Sequence, residues 1–521
     1  MATTIPADPT PKPGRLAAVH PMLFAAYPVL FLWSQNLGET NSSEVVLPLV
    51  ILVGGAALLT WLLGRVLGDR RRAALVVSPL VIGLLMYGHA AHYLAALHVP
   101  AIAQQFGWVV LVIVGAVAAV RVGTRQLATA DTTLDGIAAI LVIVTLVVIV
   151  PFQATAAASA GPVSVVQPQV QATTAAKRDV YWFIFDRYGS DRAFAGLFDI
   201  HNDLTPWLKE KGFTVLEDSH ANYVRTVTSL ATTSNMTHLK DMTGLPGPAS
   251  SDLRPLQASL QSSLVARQFK ALGYRYFHIG SWSDGTARDD AADVNLNLPA
   301  LSGFAAALYD QTAILPAMKR LRLEAADPRV RHFRHNEFGL EAVAGLRDEP
   351  GPKFVFTHIL LPHPPMVYDR DGRFMSSAEQ EGMSGKELLE RQLAYTNTRI
   401  REIVGDLTSL PEAQRPIIIL QADEGPESPV YRATRKTTFD WATVSDADVE
   451  VKFGILNAWY LPGGEDLGLY PSMTSINTFP VLFSRYFGLD QPLLPDRVYT
   501  ARRYGKQYDT TDVTDRLPSL R

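Results

Sequence analysis

Asp179-Val180-Tyr181-Trp182-Phe183-Ile184-Phe185-Asp186 decides how the rest of the chain is read. Val180 to Phe185 is a short, continuous apolar run, the form taken by a strand buried on both faces of a parallel sheet. It ends on a carboxylate. Three later runs have the same form, separated by helical stretches and turns: Tyr274 to Ile279 ends at Gly280, Phe354 to Leu361 ends just before His363, and Ile417 to Gln421 ends just before Asp423. Open α/β sheets bind ligands beyond the carboxyl ends of their strands. Three of the four runs therefore deliver polar side chains to one edge. A single Asp after a strand is ordinarily a cap or turn residue; Asp186 and Asp423 with a strand-end His363 form a set that this ordinary role does not account for.

Upstream of Asp179 the composition changes. The first 153 residues contain eight Lys/Arg and six Asp/Glu, leaving 39 and 44 of the chain's 47 and 50 to the rest. Five stretches reach the roughly 20 apolar residues that a bilayer core requires: about 16–37, 44–67, 73–100, 103–120 and 134–151. A cleaved signal peptide, with Lys12 and Arg15 as its basic flank, is the alternative for the first; no Ala-x-Ala site closes it and four more spans follow, which favours a retained helix. Lys12, Arg15, Arg65, Arg70, Arg71, Arg72, Arg121 and Arg125 all fall on alternate ends of these spans. Basic residues in short loops stay cytoplasmic. The N-terminus is thus expected inside and everything beyond Pro151 outside. His89 and His92 share one face of the third span and either touch a lipid headgroup or reach the interface beside Tyr87 and Tyr93. Residues 152–178 lack periodicity and read as a linker, in which Ala154-Thr155-Ala156 and Ala158-Ser159-Ala160 resemble signal-peptidase sites.

The domain plan is a transmembrane domain over 1–151, a linker over 152–178 and an extracytoplasmic α/β domain with a mainly parallel central sheet over 179–521. The whole chain of 521 residues, 48% hydrophobic with net charge −3, has no long basic run, which excludes nucleic acid as a leading partner. With no cysteine, disulfides, thiolate metal sites and a cysteine nucleophile are excluded. A mean hydropathy of +0.09 averages two unlike halves. Few intramembrane charges and no paired broken helices speak against a transporter.

Asp179-Val-Tyr-Trp-Phe-Ile-Phe-Asp186-Arg-Tyr-Gly189 resembles the opening strand and first metal ligand of the sulfatase-like branch of the alkaline phosphatase superfamily, and Asn222-Tyr-Val-Arg-Thr226-Val-Thr-Ser229-Leu resembles its nucleophile segment. Lys353-Phe-Val-Phe-Thr-His358-Ile-Leu-Leu-Pro-His363-Pro-Pro resembles the histidine strand, and Gln421-Ala-Asp423-Glu424-Gly425-Pro stands where the family usually has Asp-His-Gly. Five helices before such a domain resemble the lipoteichoic acid synthases and phosphoethanolamine transferases of bacterial envelopes.

The resemblance implies Thr226 as nucleophile, His363 as the group that contacts the ester or protonates its leaving oxygen, and Asp186, Thr226, Asp423 and Glu424 around a divalent ion. A metal lowers the pKa of a bound hydroxyl, and a helix start offers amides to an anionic ester. Thr226 read without the family is an N-cap threonine. His358 is a strand residue satisfied by a hydrogen bond, within reach of substrate; Asp191, His278, Asp284 and Asp289 are weaker candidates. Glu424 in place of imidazole makes an all-oxygen set, which suits Mn²⁺ or Mg²⁺, with Ca²⁺ and Zn²⁺ also compatible. The expected function is a membrane-anchored phosphoryl-ester transferase or hydrolase acting on envelope lipid or glycan in the cell membrane. The alternatives are a sulfate-ester hydrolase, disfavoured because Thr226 cannot form a cysteine-derived formylglycine, and a non-catalytic envelope scaffold in which Glu424 has abolished metal binding.

Overall fold

The computed structural model describes residues 18–159, 175–283, 285–299, 301–321, 327–428, 430–431, 440–503 and 505–520. Lys12, Arg15, Asp284, Ala160 and most of the linker lie outside the described residues. Contacts divide the chain into two units, Met1–Thr155 with Phe304–Glu324, and Ala156–Gly303 with Ala325–Arg521.

The first unit is helical: α1 (His20–Gln35), α2 (Ser42–Leu67), α3 (Arg70–Leu85), α4 (Tyr87–Ala96), α5 (Ala101–Arg121) and α6 (Thr124–Ser159). Asn41 and Glu44 form a capping box that starts α2, and Gly68, at φ +69°, ends it. Asp69 then accepts from the amides of Arg71 and Arg72 and starts α3 two residues later. All five expected apolar stretches are helical, with different bounds. Among the described residues α2, α5 and α6 are each long and apolar enough to cross a membrane. The third stretch is broken at Met86, where α3 and α4 meet at 56°, and counts as a fourth span only if the pair is taken together. The first stretch contributes the 16 residues of α1. The last helix begins ten residues before the expected Leu134 and continues through Pro151 to Ser159, because nothing in the Ala-rich sequence on either side stops it. Phe152 to Ser159 is therefore helix where a linker was expected.

The second unit is built on strands β1 (Val180–Phe185), β2 (Phe213–Val215), β3 (Arg275–Ile279), β4 (Val294–Leu296), β5 (Lys353–Ile359), β6 (Ile417–Gln421) and β7 (Asn457–Tyr460), in the order β2-β7-β6-β1-β5-β3-β4. The four strands read from sequence are contiguous and parallel. The sheet as a whole is mixed, since β7 runs antiparallel to β6 and β2 antiparallel to β7. Strand β1 lies at its centre, buried on both faces. Tyr181, Phe183 and Phe185 face a layer containing Leu340, Val343, Leu393 and Ile400. Val180, Trp182 and Ile184 face Leu230, Val265, Phe269 and Phe479. This period-two split places helices on both sides and leaves the strand ends as the only edge where polar groups of β1, β5 and β6 can meet.

Candidate active site

Sheet register brings the site together. Ile184 of β1 pairs with His358 on one side and with Gln421 on the other. Asp186 and Asp423, each two residues beyond those partners, leave the sheet at the same level. Ligand atoms of Asp186, His358 and Asp423 all lie within 4.8 Å of one another, and all three residues are buried. Asp186 Oδ1, His358 Nε2 and Asp423 Oδ2 have no hydrogen-bond partner, a condition that native interiors avoid unless an ion or water completes it. His358 Nε2 stands 3.4 Å from Asp186 Oδ2, and its Nδ1 is hydrogen-bonded to the hydroxyls of Thr286 at 2.7 Å and Ser281 at 3.2 Å. Those two hydroxyls fix the ring so that Nε2 points at the carboxylates.

Electrostatics point the same way. Burial, then the facing Asp186 and Glu424 carboxylates, push Asp423 up to about 7. Burial also opposes ionisation of Asp186, but His363, His358 and Arg187 outweigh it and hold that carboxyl well below the usual range. Two carboxylates so close in a dry site either share a proton or hold a cation between them.

Thr226 opens the helix Thr226–Ser234 but does not cap it. The cap position is Arg225, at φ +72°, whose side chain makes no capping bond. The hydroxyl of half-buried Thr226 bonds Asp423. A non-glycine residue held at positive φ immediately before a candidate nucleophile is the kind of strain that functional sites retain. The bond that holds it runs from the Arg225 amide to Glu424 Oε2, 2.7 Å. Ser229, one turn further along, donates to the Asp423 carbonyl at 2.6 Å.

Glu424, expected among the metal ligands, has its carboxylate held by two bases here. Its Oε1 lies 2.6 Å from Lys452 Nζ and 3.2 Å from Arg187 Nε, and Arg187 also pairs with Glu427 at 2.8 Å. Burial disfavours its charge, yet Lys452 and Arg187 hold Glu424 below the usual carboxylate range. Two acids and two bases meet in this group, and Arg187 reaches on to Asp186 Oδ1 at 3.9 Å. The imidazole facing Asp186 and Asp423 comes from β5 as His358, not from the position after Asp423.

His363 is half-buried. Its ring bonds the Pro364 carbonyl, and its own carbonyl accepts from Gln392 at 3.0 Å. Burial lowers its pKa and Asp186 partly restores it. A further buried histidine, His332, was not singled out from sequence. Burial and His363 push it down to about 3, and its Nδ1 accepts from the Trp282 indole at 3.1 Å. His278 bonds the Thr286 carbonyl and Asp289 accepts from Tyr276, so both brace the loop that holds His358. Asp191 accepts from Asn202 at 3.2 Å.

Gly425 closes the turn. A Cβ there would lie 2.1 Å from the Val451 carbonyl oxygen and 2.9 Å from that of Gly454. Gly425→Ala is expected to displace the Asp423–Glu424 turn at a cost of roughly 1–3 kcal/mol, read as a lowered unfolding midpoint together with lost activity.

No family model and no curated protein matches the chain. Solved structures that it resembles include the C-terminal periplasmic domain of EcEptC from Escherichia coli (13% identity, covering 69% of this chain and 98% of that one, TM-score 0.43). Another is the integral membrane protein lipooligosaccharide phosphoethanolamine transferase A from Neisseria meningitidis (12%, 90% and 94%, TM-score 0.41). A third is the phosphonate monoester hydrolase of Agrobacterium radiobacter (12%, 61% and 75%, TM-score 0.39). At these identities the function is read from the chain's own residues.

Proposed function

We propose that this chain is a membrane-anchored, divalent-metal-dependent transferase of phosphoryl esters, with Thr226 as nucleophile, an outer-leaflet phospholipid as donor and an envelope glycan or lipid hydroxyl as acceptor. The observation that carries the reading is the convergence of three buried atoms without hydrogen-bond partners, from Asp186, His358 and Asp423, beside a helix-start hydroxyl that bonds Asp423. Those residues and Thr226 would hold the ion. Two carboxylates, an imidazole and a hydroxyl suit Zn²⁺ or Mn²⁺ better than an all-oxygen set would. A bound divalent ion supplies Lewis acidity, lowering the hydroxyl pKa and neutralising ester oxygens.

The chain's own residues do the rest. Thr226 Oγ1 gives its proton to solvent and bonds to phosphorus as the phosphorus–lipid oxygen bond breaks, the lipid leaving with a proton from His363. The acceptor hydroxyl then gives its proton to His363 and attacks phosphorus as the Thr226 oxygen–phosphorus bond breaks, and Thr226 takes a proton back from solvent. Amides at the start of the Thr226 helix face the phosphoryl oxygens. The scaffold alternative loses its motive, because Glu424 is occupied by Lys452 and Arg187 while His358 brings the imidazole. The orientation, N-terminus inside and α/β unit outside, rests on the alternation of basic residues along the spans.

The test is metal analysis of the purified full-length protein. One divalent ion per chain is expected, absent from Asp423→Ala and His358→Ala; wild type that takes up no divalent ion sinks the reading. Thr286→Val, which removes the hydroxyl that orients His358, is expected to weaken metal affinity about 10–100-fold without abolishing it, measured by competition with a chelating dye.

A further inference from the structure

Inside the first unit, three ionisable side chains of the apolar helices converge: His20 at the start of α1, and Asp131 and Asp135 one turn apart on α6. His20 is 0% exposed and Asp131 1%. Ionisable residues enclosed among membrane helices are costly to keep and ordinarily serve a site. Among the described residues, this group and the group of Asp186, His358 and Asp423 are the two sets of three such residues whose ligand atoms lie within 4.8 Å of one another.

Helix capping accounts for half of the arrangement. Val19, which precedes α1, makes no side-chain cap, and the acids of α6 take that place. Asp135 Oδ1 accepts from the Val19 and His20 amides at 3.0 and 2.7 Å, and Asp131 Oδ2 accepts from the Ala18 amide at 3.2 Å. Arg71 Nε lies 3.5 Å from that same Asp131 oxygen. Capping thus occupies one oxygen of each acid and does not explain the rest. Asp131 Oδ1 and His20 Nε2 are buried without hydrogen-bond partners and stand 3.4 Å apart, longer than the roughly 2.7–2.9 Å of a charge-assisted hydrogen bond. Two ligands each about 2.0–2.1 Å from a tetrahedral ion are separated by about 3.4 Å. The other ring nitrogen, Nδ1, is hydrogen-bonded to the Ser78 hydroxyl of α3 at 2.6 Å, which is how a ligand imidazole is ordinarily held in orientation. Thr286 and Ser281 hold the His358 ring in the same manner.

We propose that His20, Asp131 and Asp135 bind a second divalent transition-metal ion, of the Zn²⁺ kind, which ties α1 to α6 with Ser78 of α3 bracing the imidazole. The site needs neither Thr226 nor the ligands of the α/β unit; only its placement at the cytoplasmic end of the helices rests on the proposed orientation. Arg71 sets a positive charge beside Asp131 and weakens the hold on a cation, so this ion is expected to be given up on purification and regained when zinc is added.

Full-length protein in detergent, stripped with chelator, is titrated with Zn²⁺ against a chelating dye. Wild type is expected to take up two ions and Asp423→Ala one. On the Asp423→Ala chain, adding His20→Gln or Asp131→Asn should remove the remaining ion, Ser78→Ala should weaken its binding about 10–100-fold, and Arg71→Gln should tighten it. Asp423→Ala protein that takes up no zinc would overturn the proposal. So would zinc uptake that survives both His20→Gln and Asp131→Asn, which would leave adventitious surface binding only. X-ray absorption at the zinc edge of loaded Asp423→Ala protein reads the site without a substitution in it: an imidazole among nitrogen and oxygen neighbours at about 2.0–2.1 Å is expected, and a shell of oxygens alone would also overturn it. Were the Asp186 site to hold no ion, wild type and Asp423→Ala would each bind one and His20→Gln would remove it from both, so the two metal sites stand or fall separately.

Discussion

Thr226→Ala is expected to abolish transfer, by about six orders of magnitude in kcat if the hydroxyl is the covalent nucleophile, the size of effect seen when a serine nucleophile is removed from a hydrolase. The fold should hardly notice. Thr226 occupies the first helical position and is only half-buried; loss of its bond to Asp423 is expected to cost about 0.5–1.5 kcal/mol. Thr226→Ser keeps an oxygen in place and should retain both activity and a covalent intermediate. Intact-mass measurement after incubation with envelope lipids separates the cases. Wild type and the serine variant gain the mass of a substituted phosphoryl group, and the alanine variant gains nothing. An adduct that forms at the wild-type rate on Thr226→Ala would move the nucleophile elsewhere, with Thr228 and Ser229 on the same turn the first places to look.

Much of this site could be read along the chain, and what could not has a common cause. Buried parallel strands are apolar on both faces, so β1 and β6 stand where the sequence put them, Val180 to Phe185 and Ile417 to Gln421, and Asp186 and Asp423 could be recognised as residues just past strand ends. Strands β2, β4 and β7 are three or four residues long. Asn457 in β7 is polar and buried, bonded to Ser219, so no apolar run announces that strand. His358 lies inside its strand, and whether a strand histidine reaches the edge depends on register with β1. Register is a property of pairs of segments. Glu424 was assigned by its place after Asp423, yet its partners are Arg187, far upstream, and Lys452, 28 residues on. The break at Met86 likewise depends on a carbonyl from Gln311. Chemistry carried by one segment was legible; chemistry made by contact between segments was not.

Glu424→Ala should destabilise the protein by about 3–5 kcal/mol, because it strands a buried base without its acid. Lys452 is 2% exposed, and its other close contact is the Gly425 carbonyl at 3.4 Å. Spread over a unit of this size, that loss corresponds to a fall in Tm of about 4–7 °C. The double variant Glu424→Ala/Lys452→Met removes the stranded charge and should recover much of it. Asp423→Asn is expected to have the opposite sign in metal-free protein. It relieves the repulsion with Asp186 that pushes Asp423 up to about 7, so thermal unfolding in chelator should be unchanged or raised, while the stabilisation that added metal gives wild type disappears. Adjacent acids would thus answer differently to the same measurement. If Glu424 were a ligand, its removal would behave like that of Asp423, harmless in chelator and costly only with metal. A Glu424→Ala protein that unfolds at the wild-type temperature in chelator would therefore return Glu424 to the metal and undo its assignment as the brace that holds Arg225, and through it Thr226, in place.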